Sequence, residues 1–503
     1  MSYIAIDIGT TSTKGILFGE GFKELKKVVS ENNTLKNSDS RISEMDPMEV
    51  YQGVKEILHQ LLQSREADEK ISFISFSAYM HSVILVDGDG NPLTHAMLWS
   101  DGRAESYATS YKLSGKGLEY YKRTGTPIHP MSPLYKIMWL KNEEPSIFGK
   151  STKIVSIKEF VLEKMVGEYF VDESMASATG LFNFVQRDWD EEILSDLKIK
   201  RDMLSTPVAT TTVLPQMTIK FKSEMGISED IPIVIGATDG CLANLGSVGY
   251  EKDLVITIGT SGAARIISDQ PFLDEKGSSF CYILDAEHYI IGGAINNGGN
   301  AYEWFRKNVS TQKSIPSKNE NDGDFESFND NLKDTLPGSQ GLLFLPFLTG
   351  ERAPYYDSKL RGSYIGLTMN HGLDDMQRAV LEGICFSIKE VVEILKPLMT
   401  EEGTIHVNGG FTRSKEWVKI LAEILGEELI LSKNYESACI GAIILGLKGI
   451  HENLELSSMI NEVEMKISPN PTAVATYQKH FEIYKNAIEV LIPIFHQMGI
   501  DRD

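Results

Sequence analysis

The sequence predicts an α/β protein made of two duplicated halves, and three observations lead there. A short loop of glycine and hydroxyl residues follows an apolar strand twice, first as Ile4-Ala5-Ile6-Asp7-Ile8-Gly9-Thr10-Thr11-Ser12-Thr13-Lys14 and again as Leu254-Val255-Ile256-Thr257-Ile258-Gly259-Thr260-Ser261-Gly262. Strand-like runs alternate with helical stretches along the chain, the pattern of an α/β fold. At 503 residues the chain exceeds what one hydrophobic core usually holds, so two domains are the natural division, over residues 1–247 and 248–503.

The repeated loop carries the first chemical expectation. A β-branched run reads as a buried strand, and the glycine behind it lets the chain turn sharply. Main-chain N–H groups and hydroxyls in such a turn cradle phosphate oxygens. One copy is an ordinary connection in α/β proteins; two in equivalent places predict a duplicated domain holding one phosphate chain from both sides. The copies are unequal, because Thr257 stands where the first has Asp7.

The other elements come in chain order. Ile71 to Ser77 alternates as a strand, Ser82 to Val86 is expected to continue its sheet, and Asp87-Gly88-Asp89-Gly90-Asn91-Pro92 has the composition of a hairpin turn. Residues 131 to 143 read as a helix with Met131, Leu134, Ile137, Met138 and Trp139 on its apolar face. Ile231 to Gly236 reads as a strand, and the halves should part just after Asn244-Leu245-Gly246. The stretch from Ser310 to Lys333, dense in Ser, Asn, Asp, Glu and Lys, predicts a solvated loop or surface helix.

Composition excludes more than it identifies. A formal net charge of −21 argues against a nucleic-acid partner, which needs a clustered basic surface. No run of 18 apolar residues occurs, so no membrane span is expected, and the N-terminus enters a strand without the regions of a secretory signal. The four cysteines, Cys241, Cys281, Cys385 and Cys439, lie far apart with no C-x-x-C pair, which predicts core residues of a reduced, cytoplasmic protein.

Four clusters carry chemistry. In Gly236-Ala237-Thr238-Asp239-Gly240-Cys241 an acid stands between a strand and a helix. An enzyme that phosphorylates an alcohol needs a carboxylate to take the hydroxyl proton as the oxygen attacks phosphorus; an isolated Asp there would more simply cap the helix. Lying between two phosphate-type loops, Asp239 leads as general base. The second cluster joins Tyr79-Met80-His81-Ser82 to Trp99-Ser100-Asp101-Gly102-Arg103, where Asp101 and Arg103 set an acceptor beside a donor, suited to vicinal hydroxyls. Gly409-Gly410-Phe411-Thr412-Arg413-Ser414, after the strand Ile405-His406-Val407, offers small residues on which an adenine or ribose can lie, although a plain turn explains the glycines nearly as well. Thr349-Gly350-Glu351-Arg352-Ala353-Pro354 reads first as a loop organiser.

These residues resemble the FGGY carbohydrate kinases, within the actin-like ATPase superfamily, over essentially the whole chain. Two gapped signatures carry the resemblance: Met131 to Glu143, with Lys136, Trp139 and Glu143 in the family spacing, and Gly362 to Glu382, with Gly366, Ala379 and Glu382. The resemblance implies a ribonuclease H-like α/β domain in each half, with ATP bound in the cleft between them. It places Asp7 on the Mg²⁺-organising aspartate, Thr11, Ser12, Thr13 and Lys14 on the first phosphate loop, and Gly259, Thr260 and Ser261 on the second. It places Asp239 on the catalytic base and Gly409, Gly410 and Ser414 on the adenosine motif, with Asn297 also on the nucleotide side. Ser437-Ala438-Cys439-Ile440-Gly441-Ala442 matches a closing helix expected to pack more than to bind. By analogy with relatives, a homodimer is the implied assembly.

The resemblance also bears on the acceptor. Met80, His81, Trp99, Asp101 and Arg103 look like sugar-site residues of both xylulose and gluconate kinases. The run Tyr121-Lys122-Arg123-Thr124-Gly125-Thr126-Pro127-Ile128-His129-Pro130-Met131-Ser132-Pro133 resembles the gluconate kinases of the family, as does Asn296-Asn297-Gly298-Gly299, and Ser82 departs from the glycine usual in xylulose kinases. Gluconate is an anion that so acidic a chain cannot attract by net charge, so local cations or donors must hold it, with Arg103, Arg123, His81 and His129 as candidates. The alternatives are a xylulose or other polyol kinase and an actin-like nucleotide switch without a sugar.

Overall fold

The computed structural model describes residues 2–65, 70–310, 332, 335–432, 436–451 and 463–498. The polar stretch from Ser310 to Lys333 lies almost wholly outside these residues.

The first half is built on a five-stranded sheet. Its strands are β1 (Ser2–Ile8), β2 (Ser12–Phe18), β3 (Glu24–Glu31), β4 (Ile71–Ala78) and a strand over Ile233–Thr238. Among the short strands between these last two are β5 (Ile84–Val86) and β6 (Lys153–Val155), and Ile233–Thr238 is labelled β7. The sheet order is β7-β4-β1-β2-β3, with β1 parallel to β4 and antiparallel to β2. Nearly every residue of β1, β4 and β7 is buried, as expected of strands covered on both faces. Ser82 to Val86 does not continue this sheet. The backbone turns at His81, whose φ is 72°, and β5 pairs instead with β6 in a two-stranded sheet. The predicted turn at Asp87 is present, its carboxylate accepting from the N–H groups of Asp89 and Asn91.

Helices start where their caps allow. In α1 (Pro47–Ser64) the Asp46 carboxylate accepts from Met48 N–H and Pro47 occupies the first turn, where its missing N–H costs nothing. The predicted helix is α2 (Pro133–Glu143), again opened by proline; it buries Leu134, Ile137, Leu140 and also Lys136, while Met131 is buried ahead of it. Then α3 (Ile157–Val166) opens on a reciprocal capping box of Ser156 and Glu159, and α4 (Asp239–Val248) comes directly after β7.

The second half repeats the plan. Its strands are β8 (Leu254–Ile258), β9 (Gly262–Ser268), β10 (Phe280–Ile283), β11 (Tyr289–Ile295), β12 (Ile405–Asn408), β13 (Leu429–Ser432) and β14 (Val463–Ile467). They lie in the order β10-β11-β9-β8-β12-β13-β14. The run β11-β9-β8-β12-β13 therefore repeats β3-β2-β1-β4-β7, and each repeated loop joins the antiparallel pair at the start of its copy. The helices of this half are α5 (Gly299–Asn308), α6 (Leu373–Leu395), α7 (Lys415–Leu425), α8 (Ser437–Gly449) and α9 (Pro471–Met498).

By packing, the first change of unit falls at Tyr250/Glu251, close to the 247/248 division expected from the sequence, and two later segments return to the first unit. One compact unit comprises Met1–Tyr250, Ile267–Ile291 and Glu436–Asn461, the other Glu251–Ile266, Gly292–Tyr435 and Glu462–Asp503. The later segments return to the first unit because their apolar side chains complete its core. Phe280, Tyr282, Leu284 and Ile290 cluster with Tyr3, Ala178 and Cys241, and Cys439, Ile443 and Leu447 of α8 join them. There α8 lies against α4 with glycine at the crossing, since a Cβ at Gly246 would strike the Ser437 carbonyl and one at Gly441 the Leu242 carbonyl. The closing helix thus packs, as expected. All four cysteines are buried thiols outside any disulfide.

Candidate functional site

The first phosphate-type loop is a tight hairpin. Gly9 N–H donates to the Ser12 carbonyl at 3.0 Å, and Asn32 Nδ2 donates to the Gly9 carbonyl at 2.7 Å, fixing the turn from outside. Thr11 is exposed and Ser12 half-buried, so both present polar groups at the turn. Thr13 differs from the expectation: it is fully buried and its hydroxyl is bonded to Asn32, so its side chain supports the loop rather than facing a phosphate. Asp7 and Lys14 are partners across β1 and β2. Ser77, beside Asp7 on β4, donates to Asp7 Oδ1 at 2.7 Å. Burial pushes the Asp7 carboxyl above the usual aspartate range, against the opposing pull of Ser77 and Lys14. Lys14 is held at 3.2 Å by Glu436, which Lys27 also contacts.

Asp239 rides on an irregular strand end. Between Val234 and Ala237 the pairing of β7 with β4 slips, and Gly236 has φ 70° with its Cα against the Phe76 carbonyl, where a Cβ would collide. Such a bulge re-aims the residues after it. Thr238, with extended backbone, is the N-cap residue of α4, so Asp239 is not the capping residue; its Oδ1 accepts from Gly240 N–H at 2.7 Å and the residue remains half-buried. Behind it Thr238 Oγ1 lies 3.0 Å from Ser174 Oγ, and Lys158 Nζ donates to the Ala237 carbonyl at 3.1 Å.

The expected acceptor residues come together in part. His81 is buried, and because the Ala178 carbonyl lies 2.9 Å from Nδ1, that nitrogen carries the proton. Its Nε2 faces the Tyr282 hydroxyl at 3.5 Å, with the rings edge to face. Met80, beside His81 in the chain, and Trp99, two residues before Asp101, are half-buried. The pair of Asp101 and Arg103 does not open to a substrate. Asp101 is 1 % exposed and takes Ser43 N–H and four donations from Arg103, its own neighbour two residues on, while Arg103 also bonds Glu44 and stacks over Trp139 at 4.6 Å. Arg123 is likewise committed, its Nε and Nη2 each 2.8 Å from Asp190 and its Nη1 on Glu192. Neither guanidinium is the open cation expected for a carboxylate; each has closed on acids of its own unit. His129 Nδ1 accepts from Met131 N–H at 3.1 Å, which orients its half-buried ring.

The second unit carries the other loop. Gly259 N–H donates to the Ser261 carbonyl at 2.8 Å, and the carbonyls of Gly259 and Thr260 accept from the N–H groups of Gly298, Gly299 and Asn300 at the start of α5. Gly259 and Thr260 are exposed, Ser261 is half-buried, and open space surrounds the Gly259 Cα. Thr257 Oγ1, at the position of Asp7 in the first copy, is buried without a partner. Asn297, expected on the nucleotide side, is fully buried; its amide donates to the Gly350 carbonyl and Glu351, and its oxygen accepts from Thr349, so its side chain holds the 349–351 loop. Glu351 also takes the N–H groups of Asn296 and Arg352, which makes this segment the loop organiser expected. Gly409, at φ 101°, lies against the Ile258 carbonyl, whereas Gly410 is exposed with space around it. Ser414, expected on the adenosine motif, is buried, and its hydroxyl caps α7 by accepting from Trp417 N–H.

Sequence reasoning assigned no role to Lys136, Lys158 or Tyr282, all buried beside these loops. The second signature proves to be a structural clamp. Glu382 accepts from Gly338 N–H, Ser339, Arg378 and Tyr477, tying α6 to α9.

Two copies of a hairpin-led α/β core, one with a half-buried Asp in its first strand and an acid at the head of α4, have the two-domain plan of sugar kinases of the actin-like ATPase type. Residues 2–246 match the N-terminal domain of the FGGY family of carbohydrate kinases and residues 254–450 its C-terminal domain, and the chain belongs to this family. It is 42 % identical over 446 residues to a gluconokinase of Bacillus subtilis, covering 88 % of this chain and 86 % of that protein. Among solved structures it resembles a gluconate kinase of Lactobacillus acidophilus, with TM-score 0.90 and 34 % identity over 99 % of both chains. A ligand-bound xylulose kinase from the same organism superposes with TM-score 0.92 and 33 % identity, also over 99 % of both.

Proposed function

We propose that this protein is an ATP-dependent kinase that phosphorylates D-gluconate to 6-phospho-D-gluconate. The observation that carries the reading is the 42 % identity to a gluconokinase over 88 % of the chain, since the backbone alone resembles gluconate and xylulose kinases about equally. The run from Arg123 to Pro133 supports the same acceptor.

In this reading Asp239 takes the proton from the C6 hydroxyl, and the oxygen forms its bond to the γ-phosphorus as the bond from phosphorus to the bridging oxygen of ADP breaks. Its place at the head of α4, supported from behind by Thr238 and Ala237, lets the carboxylate meet a hydroxyl with little reorganisation. The main-chain N–H groups and hydroxyls of Thr11 and Ser12 and the ammonium of Lys14 would meet phosphate oxygens in the first unit. The exposed turn of Gly259, Thr260 and Ser261 and the orphaned Thr257 hydroxyl would do so in the second, with Gly410 leaving room for the adenosine.

Mg²⁺ fits this donor set. Among the described residues no group of three or more His, Cys, Asp or Glu could cage a metal ion, which suits an ion that keeps its waters and binds through one carboxylate and the nucleotide's phosphates. Asp7 would be that carboxylate, held in place by the hydrogen bond from Ser77. Bound there, the ion supplies charge neutralisation on the transferring phosphate. The carboxylate of gluconate falls to His129 and neutral donors, because Arg103 and Arg123 are committed elsewhere and His81 spends its ring N–H on the Ala178 carbonyl. ATP as donor and four buried cysteines outside any disulfide support the cytoplasm as the site of action.

A coupled kinase assay over gluconate, xylulose, glycerol, ribulose and erythritol with Mg²⁺-ATP tests the assignment. The highest kcat/KM is expected for gluconate; a clear preference for xylulose would overturn the acceptor, and sugar-independent ATP hydrolysis as the main activity would overturn the kinase.

A further inference from the structure

Lys136 is completely buried on α2, among Leu134, Ile137 and Leu140. Its Nζ donates to two main-chain carbonyls, that of His81 at 2.7 Å and that of Leu98 at 2.5 Å. Both of its hydrogen bonds among the described residues go to these loops. The two carbonyls belong to different segments, 55 and 38 positions before the lysine. One is the turn of Met80 and His81; the other opens the turn of Trp99 to Asp101, where the Leu98 carbonyl also accepts from Asp101 N–H at 3.0 Å.

The place is not one that packing alone would choose. Burying an ammonium is costly, and a methionine would fill the same space without that cost. What methionine lacks is a donor. His81 holds φ 72°, a conformation disfavoured for a residue with a Cβ, and it persists only where its surroundings over-determine it. Two contacts do so here: the ring is bonded to the Ala178 carbonyl and the main-chain carbonyl to Lys136. Burial holds the Lys136 ammonium down to about 7, and a neutral amine still has two N–H groups, so both carbonyls keep their donor on either side of that value.

We propose that Lys136 is a positioning residue for the acceptor, a tie that holds the His81 turn and the Trp99 turn in one register so that both meet the same polyol. This rests on the reading of those turns as acceptor-binding. Removing the donor frees the His81 backbone to relax and uncouples the two turns, while the phosphate hairpin of Gly9 to Lys14, held by Asn32, keeps its own support.

The test is Lys136→Met, with Lys136→Gln beside it as a variant that keeps two N–H donors on a shorter stem. For the methionine variant, kcat/KM for gluconate should fall about 100-fold, the scale of a misplacement of roughly 1 Å. The KM for ATP and the slow ATP hydrolysis without sugar should stay at the level of the unmodified enzyme, and the glutamine variant should recover part of the loss. A uniform fall of all activities, or unchanged gluconate kinetics, overturns the proposal. So does failure of both variants to fold, which would make Lys136 a residue of the core. If the unmodified enzyme prefers another polyol, it is the gluconate reading that fails, and the same comparison on that polyol judges Lys136.

Discussion

Lys158 Nζ lies 2.8 Å from Asp172 Oδ2 in the interior of the first unit and 3.1 Å from the carbonyl of Ala237, two residues before Asp239. Both side chains are essentially inaccessible, and Asp172 also caps a short helix by accepting from Met175 N–H. The pair thus fixes the end of β7 from the side away from the half-buried Asp239. Lys158→Met leaves an uncompensated carboxylate in the core and should lower unfolding free energy by about 3–5 kcal/mol. Adding Asp172→Asn should restore part of that stability, because the charge then disappears with its partner. Urea unfolding of the two variants checks the order; a single variant as stable as the parent would show the pair to be dispensable.

Asp239→Asn removes the proton acceptor and leaves the shape. Turnover of gluconate should fall by on the order of 10²- to 10⁴-fold, with the KM for ATP little changed. Steady-state kinetics against each substrate separates the cases. Near-normal turnover would move the base elsewhere, and a matching rise in the KM for ATP would make Asp239 a nucleotide ligand.

The fold was legible where local chemistry and burial coincide. The two glycine-hydroxyl loops, the strand at Ile71 and the helix at Pro133 arise from β-branched runs, glycine and proline, which act within a few residues. The placement of the candidate site was legible where local sequence sets the backbone, as for Asp7 at the end of a strand, Asp239 at the head of a helix and the Gly259 turn. It was obscure where a side chain's role depends on what lies opposite. Arg103 and Arg123 look like substrate cations in one dimension, and only folding brings Asp101, Glu44, Asp190 and Glu192 to them. Asn297 and Ser414 have the chemistry of ligands and the burial of supports. Lys136 and Lys158 are the converse, since lysine is almost never fully buried; Lys136 stands in the first family signature, but nothing local announces that either side chain is buried.

Ser414 separates support from contact. Its hydroxyl caps α7, so Ser414→Ala should cost about 1 kcal/mol of stability and leave the KM for ATP unchanged. Thermal unfolding and ATP titration of the initial rate read the two effects independently. A raised KM for ATP with unchanged stability would return Ser414 to the nucleotide site.

Two buried acids of the second unit make its stability depend on pH. Burial pushes Glu351 up to about 7 and Glu390 up to about 8, the latter despite the hydrogen bond from Tyr355. A carboxyl whose folded pKa is raised binds its proton more tightly in the folded state. Its stabilisation is complete below the unfolded value near 4.5 and is lost as pH rises through the folded one. Stability of this unit should therefore decline between about pH 4.5 and 8, at about 1.4 kcal/mol for each pKa unit separating folded from unfolded. Glu390→Gln keeps an acceptor for the Tyr355 hydroxyl and cannot ionise, so its decline over that window should be shallower than the parent's. Urea midpoints at intervals from pH 5 to 8 measure both slopes, and equal slopes would mean that Glu390 carries no proton in the folded protein.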